Sequence, residues 1–185
     1  KQLKNNTLWL ISVARLHPGK GQEEIIKLWS QLPAELRQQC QILIIGGQTE
    51  NGYEDKLKQQ ADKAMDGHHI IFLGAQFDPR PWYQAADVFI SGSHEEGLPL
   101  GPLEALSAGL PLILSQIPGH SILQNNSIPF YLSDINESVK IISQFLIKML
   151  EHKIESRTES NTDKKADMKI NPENSSFSIP KISDQ

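Results

Sequence analysis

The sequence predicts an α/β domain built on a doubly wound parallel sheet, a Rossmann-like fold. Short apolar segments, several of them rich in isoleucine, alternate along the chain with longer amphipathic segments. The apolar segments have the length of buried strands, and glycine or proline often bounds them. Strands joined through helices need crossover connections, so we expect a parallel sheet with helices on both faces.

In the first half of the chain, strands are predicted at 8–13, 41–45 and 69–73. The first reads Leu-Trp-Leu-Ile-Ser-Val, the second reads Gln-Ile-Leu-Ile-Ile before two glycines, and the third also stops at a glycine. Helices are predicted at 22–32 and 53–65, because apolar residues recur there at helical spacing.

The middle of the chain continues the alternation. A short helix is predicted at 81–86, a strand at 87–90, a helix at 102–108 that a glycine ends, and a strand at 111–114. Ligands of doubly wound sheets bind beyond the carboxyl ends of the strands. We therefore expect the chemistry of this protein in the loops after the first five strands.

The last third of the chain closes the fold. A helical turn is predicted at 121–124, a sixth strand at 129–132 and an amphipathic helix at 137–150. Beyond them the composition becomes polar, with only scattered apolar residues, and such a segment cannot bury enough surface to offset its ordering entropy. The sequence thus predicts a domain at 1–152 and a disordered or loosely packed tail at 153–185.

Composition excludes several classes of protein. The formal net charge is −4, so the chain has no excess of basic charge for nucleic acid. No uninterrupted apolar run reaches the ~18 residues of a membrane span. The single cysteine, Cys40, excludes an intramolecular disulfide and favours a reducing, cytoplasmic compartment. The polar start at Lys1 is unlike a signal peptide, and we expect it to be an internal cut point.

Two cations follow the first strand. Arg15 and Lys20 are five positions apart on a turn that contains glycine and proline and leads into a helix. An arginine fork and a mobile ammonium together suit two adjacent phosphate groups. The alternative is a solvated turn with two surface cations. The P-loop pattern is absent from this turn.

Two glutamates follow the fourth strand. Glu96 lies in the loop, Glu104 lies in the next helix, and the loop between them offers free backbone N–H groups at the helix start. Proline lacks an N–H, so the available donors are Gly97, Leu98, Leu100 and Gly101. The carboxylates could bind sugar hydroxyls or act as general acid and base. The alternative for a glutamate near a helix start is a simple dipole partner.

Metal and nucleophile motifs are weak. His68, His69 and His94 lack zinc-site spacing, and no Asp-x-Asp pair occurs in the chain. We therefore expect no metal and no resident cofactor. Cys40 has no local His and Asn or Asp partners, so a structural thiol is the favoured interpretation. The three tryptophans are interpreted as core residues.

Several segments together resemble the C-terminal half of a retaining glycosyltransferase of family four (group 1), which has the GT-B fold. The segments are Val-Ala-Arg-Leu at 13–16 with Lys-Gly at 20–21, Ile-Phe-Leu-Gly at 71–74, Ala-Asp-Val-Phe-Ile-Ser-Gly-Ser at 86–93, and Glu-Gly-Leu-Pro at 96–99 with the helix that follows. The resemblance covers about residues 8 to 150 in the family's order.

The resemblance implies roles for individual residues. Arg15 and Lys20 match the pair that holds the donor diphosphate and stabilises charge on the leaving nucleoside diphosphate. Glu96 matches the glutamate that faces the donor sugar, and Glu104 matches the one that holds the ribose hydroxyls. The remaining matches are backbone donors at Gly97 and Leu98 and the base-gripping turn at Ala75 and Gln76.

For the whole protein, the resemblance implies a donor-binding domain for a sugar nucleotide, expected to be a UDP-sugar. The glycosyl group would pass with retention to a glycan or lipid-linked acceptor, bound by an N-terminal half without which this part is expected to be inactive. Polysaccharide biosynthesis in the cytoplasm, with or without peripheral contact at the inner membrane face, fits that activity.

Two other functions remain open at this stage. One is a non-catalytic module that binds a sugar nucleotide or acts as a scaffold through its tail. The other is a related enzyme on the same fold, such as a nucleotide-sugar epimerase. The chain also departs from the family pattern after the fifth strand, where Pro-Gly-His-Ser-Ile at 118–122 keeps the turn and lacks the usual glutamate.

Overall fold

A computed structural model describes residues 7–64 and 69–159, and its core is one six-stranded sheet. Every strand pairs in parallel with its neighbours, in the order β3-β2-β1-β4-β5-β6. The strands are β1 (Leu8–Val13), β2 (Cys40–Ile45), β3 (Ile70–Phe72), β4 (Val88–Ser91), β5 (Leu112–Ser115) and β6 (Ser127–Phe130). The doubly wound parallel sheet predicted from the sequence is confirmed.

Helices connect the strands and close the chain. They are α1 (Gln22–Gln31), α2 (Ala34–Arg37), α3 (Tyr53–Lys63), α4 (Arg80–Ala85), α5 (Leu100–Ser107) and α6 (Ile135–Glu159), with 3-10 turns at Pro18–Lys20 and Pro118–Asn126. Among the described residues, no helix combines the length and the apolar character needed to cross a bilayer.

The two faces of the sheet carry separate apolar clusters. Leu8 and Leu10 of β1 point into the cluster that contains α1, α3 and α6, and Trp9 and Ile11 point into the cluster that contains α4 and α5. This alternation follows from the two-residue period of a strand. All three tryptophans are buried, at most 7% exposed, which confirms that they are core residues.

The strand order places a switch point between β1 and β4. From β1 the chain moves outward through β2 and β3, then returns to β4 on the other side of β1. The loops after β1 and β4 therefore leave the same edge of the sheet in opposite directions and open a crevice between them. Arg15 and Lys20 follow one of these strands and Glu96 follows the other.

Most observed elements begin or end within one or two residues of the predicted bounds, and the clearest differences concern α2, β6 and the end of α6. Helix α2 is not predicted, because a four-residue helix is too short for a periodic pattern. Strand β6 begins two residues earlier than predicted and ends at Phe130, because the next amide, that of Tyr131, donates to Ser138 Oγ in α6. Helix α6 continues to Glu159, past the predicted domain boundary at 152, and residues 160–185 lie outside the described part.

Candidate functional site

The loops after β1 and β4 are in direct backbone contact. Gly21 has a φ of 67°, and a Cβ atom on it would lie 1.8 Å from the carbonyl oxygen of Gly92. The amide of His94 donates to the carbonyl of Gly19 at 3.0 Å. Only a glycine permits this approach and this left-handed conformation. The contact holds the two loops at a fixed separation.

Between these loops lies a cleft of about 360 Å³. Of the described residues, seven line it: Arg15, His17, Gly19 and Lys20 of one loop, and Glu95, Glu96 and Gly97 of the other. The two cations and Glu96, which the sequence placed after different strands, thus line one cavity. Arg15 is exposed, whereas Lys20 and Glu96 are largely buried.

Lys20 and Glu96 form an ion pair across the cleft. The Lys20 ammonium donates to Oε2 of Glu96 at 2.8 Å, and the side chains are 22% and 13% exposed. The other carboxylate oxygen, Oε1, accepts a hydrogen bond from the hydroxyl of Ser93 at 2.8 Å. Both oxygens of Glu96 therefore have protein donors, which fixes the plane of the carboxylate.

Behind Ser93 lies a buried polar chain that the sequence analysis did not identify. The Ser115 hydroxyl donates to the carbonyl of Ser93 at 2.6 Å, and His120 Nδ1 lies 2.9 Å from the Ser115 carbonyl oxygen. Ser93, Ser115 and His120 are at most 1% exposed. In the sequence, only the serine that ends the apolar run of β5 and the histidine of the Pro-Gly-His turn indicate these buried hydrogen bonds.

The Pro-Gly-His turn also packs against Glu96. A Cβ atom on Gly119 would lie 2.2 Å from the carbonyl oxygen of Glu96, so the turn after β5 packs directly on the backbone of Glu96. The departure from the family pattern at 118–122 therefore borders the site, although it leaves Arg15 and Lys20 in place.

The start of α5 approaches the end of β1. A Cβ atom on Gly101 would lie 2.7 Å from the carbonyl oxygen of Val13, so the first turn of α5 borders the crevice. The Leu100 amide donates to the Leu98 carbonyl at 2.9 Å, which corrects its assignment as an available donor. The Leu100 amide therefore has its hydrogen-bond partner within a tight turn at 98–100, where α5 begins.

Glu104 is oriented by a tyrosine of the neighbouring helix. Tyr83 in α4 is buried, and its hydroxyl donates to Oε2 of Glu104 at 3.0 Å. Burial, followed by the hydrogen bond to Glu104, raises the pKa of the Tyr83 hydroxyl, which keeps it a donor. Glu104 is exposed and does not line the cleft of Lys20 and Glu96.

Ala75 and Gln76 lie in the turn after β3, and β2 separates this strand from β1 in the sheet. Gly74 adopts a φ of 65°, and the side-chain amide of Gln76 donates to the Leu73 carbonyl at 2.8 Å. The Ala75 methyl faces the glycine pair after β2, because a Cβ on Gly47 would lie 3.4 Å from it. These residues share the carboxyl edge of the sheet with the cleft but do not line it.

Cys40, His69 and His94, considered in the sequence analysis, do not line the cleft. Cys40 is buried, and burial raises the pKa of its thiol to about 12, in agreement with a structural role. His94 is exposed and lies 2.8 Å from Glu24 of α1, and His69 contacts the Cys40 carbonyl. Within residues 7–64 and 69–159, no three His, Cys, Asp or Glu side chains converge as a metal site would require. His68 lies outside the described residues.

Comparison with known sequences extends these observations. The family described as "Glycosyl transferases group 1" matches residues 1–167. The UDP-Gal:alpha-D-GlcNAc-diphosphoundecaprenol alpha-1,3-galactosyltransferase of Escherichia coli is 29% identical over 152 residues, which cover 82% of this chain and 39% of that protein. The lipopolysaccharide core biosynthesis mannosyltransferase LpsB of Rhizobium meliloti is 34% identical over 71 residues, or 38% of this chain and 20% of LpsB.

Solved structures share the fold. Anabaena HepE, in complex with UDP and glucose, has a TM-score of 0.68 at 20% identity, over 83% of this chain and 49% of HepE. WaaG, a glycosyltransferase involved in lipopolysaccharide biosynthesis, has a TM-score of 0.67 at 23% identity, over 86% of this chain and 44% of WaaG. This chain thus spans less than half the length of these relatives. It belongs to the group 1 glycosyl transferases and carries a Rossmann-like domain of the GT-B fold, as its motifs predict.

Proposed function

We propose that this domain binds the sugar-nucleotide donor of a glycosyltransferase, with the diphosphate on Arg15 and Lys20. The observation that carries the proposal is the cleft at the switch point, where these two cations line the same cavity as Glu96. Crevices at this position of a doubly wound sheet are where nucleotides bind. Arg15 can form a bidentate contact with one phosphate, and Lys20 can follow the second as a mobile charge.

The arrangement also suits the chemistry of glycosyl transfer. As the anomeric bond breaks, negative charge grows on the departing diphosphate and positive charge grows on the sugar ring. Two cations beside the diphosphate stabilise this growing charge, and so stabilise the transition state more than the ground state. Glu96, held by Ser93, is a carboxylate that can accept hydrogen bonds from sugar hydroxyls.

A UDP-sugar is the proposed donor, and Glu104 is the proposed ligand of the ribose hydroxyls. A relative named for UDP-Gal and a neighbouring structure with UDP and glucose support the choice of nucleotide. Transfer with retention to a glycan or lipid-linked acceptor is proposed for the longer protein. Proton NMR of the first product formed by such a protein would show whether the anomeric configuration is kept.

Calorimetric titration of the 185-residue chain with UDP tests the cation pair. We expect Arg15→Ala and Lys20→Ala each to weaken UDP binding by ~1–3 kcal/mol, because each removes a charged hydrogen-bond donor. The matched control is Lys27→Ala, which removes one exposed cation from α1 outside the cleft and leaves the affinity for UDP unchanged. Equal affinity for UDP in all four proteins would refute the diphosphate site, as would a wild-type chain that binds neither UDP nor GDP.

A further inference from the structure

We infer that Glu96 competes with the bound diphosphate for Lys20 and so weakens binding of the nucleoside diphosphate alone. The inference rests on the proposed function, because it concerns the same cleft. Glu96 then has two effects: it lowers the affinity for the product nucleoside diphosphate, and it helps to hold the sugar-nucleotide donor.

The geometry makes the competition direct. Lys20 already donates to Glu96 Oε2 at 2.8 Å between the two loops of the cleft, and both side chains are mostly buried. A diphosphate oxygen on Lys20 must therefore share the ammonium with this carboxylate or take its place. The carboxylate cannot simply turn away, because Ser93, 1% exposed, holds its other oxygen at 2.8 Å.

The formal charges that line the cleft also favour competition between Glu96 and the diphosphate. Arg15 and Lys20 contribute two positive charges, and Glu95 and Glu96 contribute two negative charges, so the lining is formally neutral. A diphosphate brings at least two further negative charges into this partly buried space. Lys20 is the cation that neutralises Glu96, so a diphosphate that takes the ammonium leaves this carboxylate without its counter-charge, and that cost reduces the net gain from binding.

A sugar on the diphosphate changes this balance. Its hydroxyl groups can donate to Glu96, which restores partners to a carboxylate that has lost Lys20. The nucleoside diphosphate left after transfer has lost the hydroxyl groups of the transferred sugar and keeps only those of the ribose, which are proposed to lie on Glu104. The Lys20–Glu96 pair therefore re-forms at its expense. Glu96 thereby favours the donor over the spent nucleotide and assists product release.

The test is calorimetric titration of the 185-residue chain with UDP and, separately, GDP. Glu96→Gln keeps the size of the side chain and removes its charge. Glu95→Gln is the matched control, since it removes the same charge from the border of the same cleft, but at an exposed side chain whose charge is screened by solvent. Both substitutions are repeated in a Lys20→Met background, and thermal unfolding by circular dichroism checks that each protein is folded.

We expect Glu96→Gln to lower the Kd for UDP by about 5- to 10-fold, which is the scale of a partly buried ion pair, and Glu95→Gln to change it by less than about 2-fold. In the Lys20→Met background, the effect of Glu96→Gln should fall to that of Glu95→Gln, because no ammonium remains to compete for. Glu96→Ala gives a second measurement with the same expected direction.

The outcomes separate this inference from the proposed function. If the wild-type chain binds UDP and Lys20→Ala weakens binding, but Glu96→Gln leaves it equal or weaker, the competition is refuted and the diphosphate site stands. Equal tightening by Glu95→Gln and Glu96→Gln, or a Glu96→Gln effect that survives Lys20→Met, would reduce it to a general charge effect and also refute it. A chain that binds neither nucleotide would refute both proposals.

Discussion

At the scale of single residues, the site depends on buried polar groups as much as on the charges that face the cleft. Glu96 is held by Ser93, Ser93 is held through its carbonyl by Ser115, and His120 packs against Ser115. A buried hydrogen-bond chain rigidifies a site when its members are satisfied and is costly when one is removed. The chain therefore links the stability of the domain to the orientation of Glu96.

Removing the central hydroxyl should reveal this cost. We expect Ser115→Ala to lower the free energy of unfolding by about 1–3 kcal/mol, because the buried carbonyl of Ser93 loses its donor. Urea denaturation measures the change. Ser133→Ala, at an exposed serine, is the control and should stay within about 0.5 kcal/mol of the wild type. Equal stability of the two variants would contradict a structural role for the Ser115 hydroxyl.

At the scale of elements, polar contacts join α1 to α3 on one face of the sheet. Glu23 in the first turn of α1 accepts hydrogen bonds from Lys56 at 2.7 Å, Tyr53 at 3.1 Å and Gln60 at 3.1 Å, all in α3. The hydrogen bond from Lys56, against the opposing effect of burial, holds the pKa of Glu23 below the ordinary value of 4.5. The folded state thus favours the charged carboxylate.

A lowered pKa makes the contribution of Glu23 depend on pH. The stabilisation is complete above the unfolded-state value of 4.5 and is lost as the pH falls through the lower folded-state pKa. We expect Glu23→Gln to destabilise the domain by about 1 kcal/mol near neutral pH and by progressively less below pH 4.5, measured by urea denaturation across pH. Glu151→Gln, at an exposed position of α6, is the control. A difference for Glu23→Gln that stays constant into acid would contradict the assignment.

At the scale of the whole molecule, α6 joins the two ends of the described fold. Lys153 near its end donates to the carbonyl of Thr7 at 3.0 Å and pairs with Asp87. Asp87 also accepts the amide of Trp9 at 2.8 Å, beside the start of β4. One lysine therefore connects the last helix with the entrances to the two central strands, at the edge of the sheet opposite the cleft.

This connection should contribute to global stability without affecting the site. We expect Lys153→Met to lower the free energy of unfolding by about 1–2 kcal/mol, because Asp87 would remain largely buried without its cation. Lys148→Met, an exposed lysine on the same helix, should change it by less than about 0.5 kcal/mol. Affinity for UDP should be unchanged in both variants. A Lys153→Met protein as stable as the Lys148→Met protein would show that the pair adds nothing.

Local patterns predict most of this architecture because the spacing of apolar residues reflects which side chains are buried. Strand β1 begins and ends where the apolar run does, and α1 begins at the predicted residue, since a buried strand and an amphipathic helix leave distinct periods in the sequence. The edge strand β6 is placed less well, because its ends depend on partners in β5 and α6 and not on its own composition. The part of α6 beyond the predicted helix likewise includes a long-range contact, from Lys153 to the Thr7 carbonyl before β1, which no local pattern records.

Local patterns were enough to predict the fold class, the family, the loops that carry Arg15, Lys20 and Glu96 and the helix that carries Glu104, because apolar periodicity and motif spacing are local properties. The pairing of Lys20 with Glu96 and its support by Ser93 and Ser115 became visible only in the tertiary structure. The same is true of Glu104, which accepts a hydrogen bond from Tyr83 and lies outside the cleft. Most of those contacts join residues from different loops or helices. Their geometry is set by the packing of loops and helices around the sheet, and no local pattern encodes it.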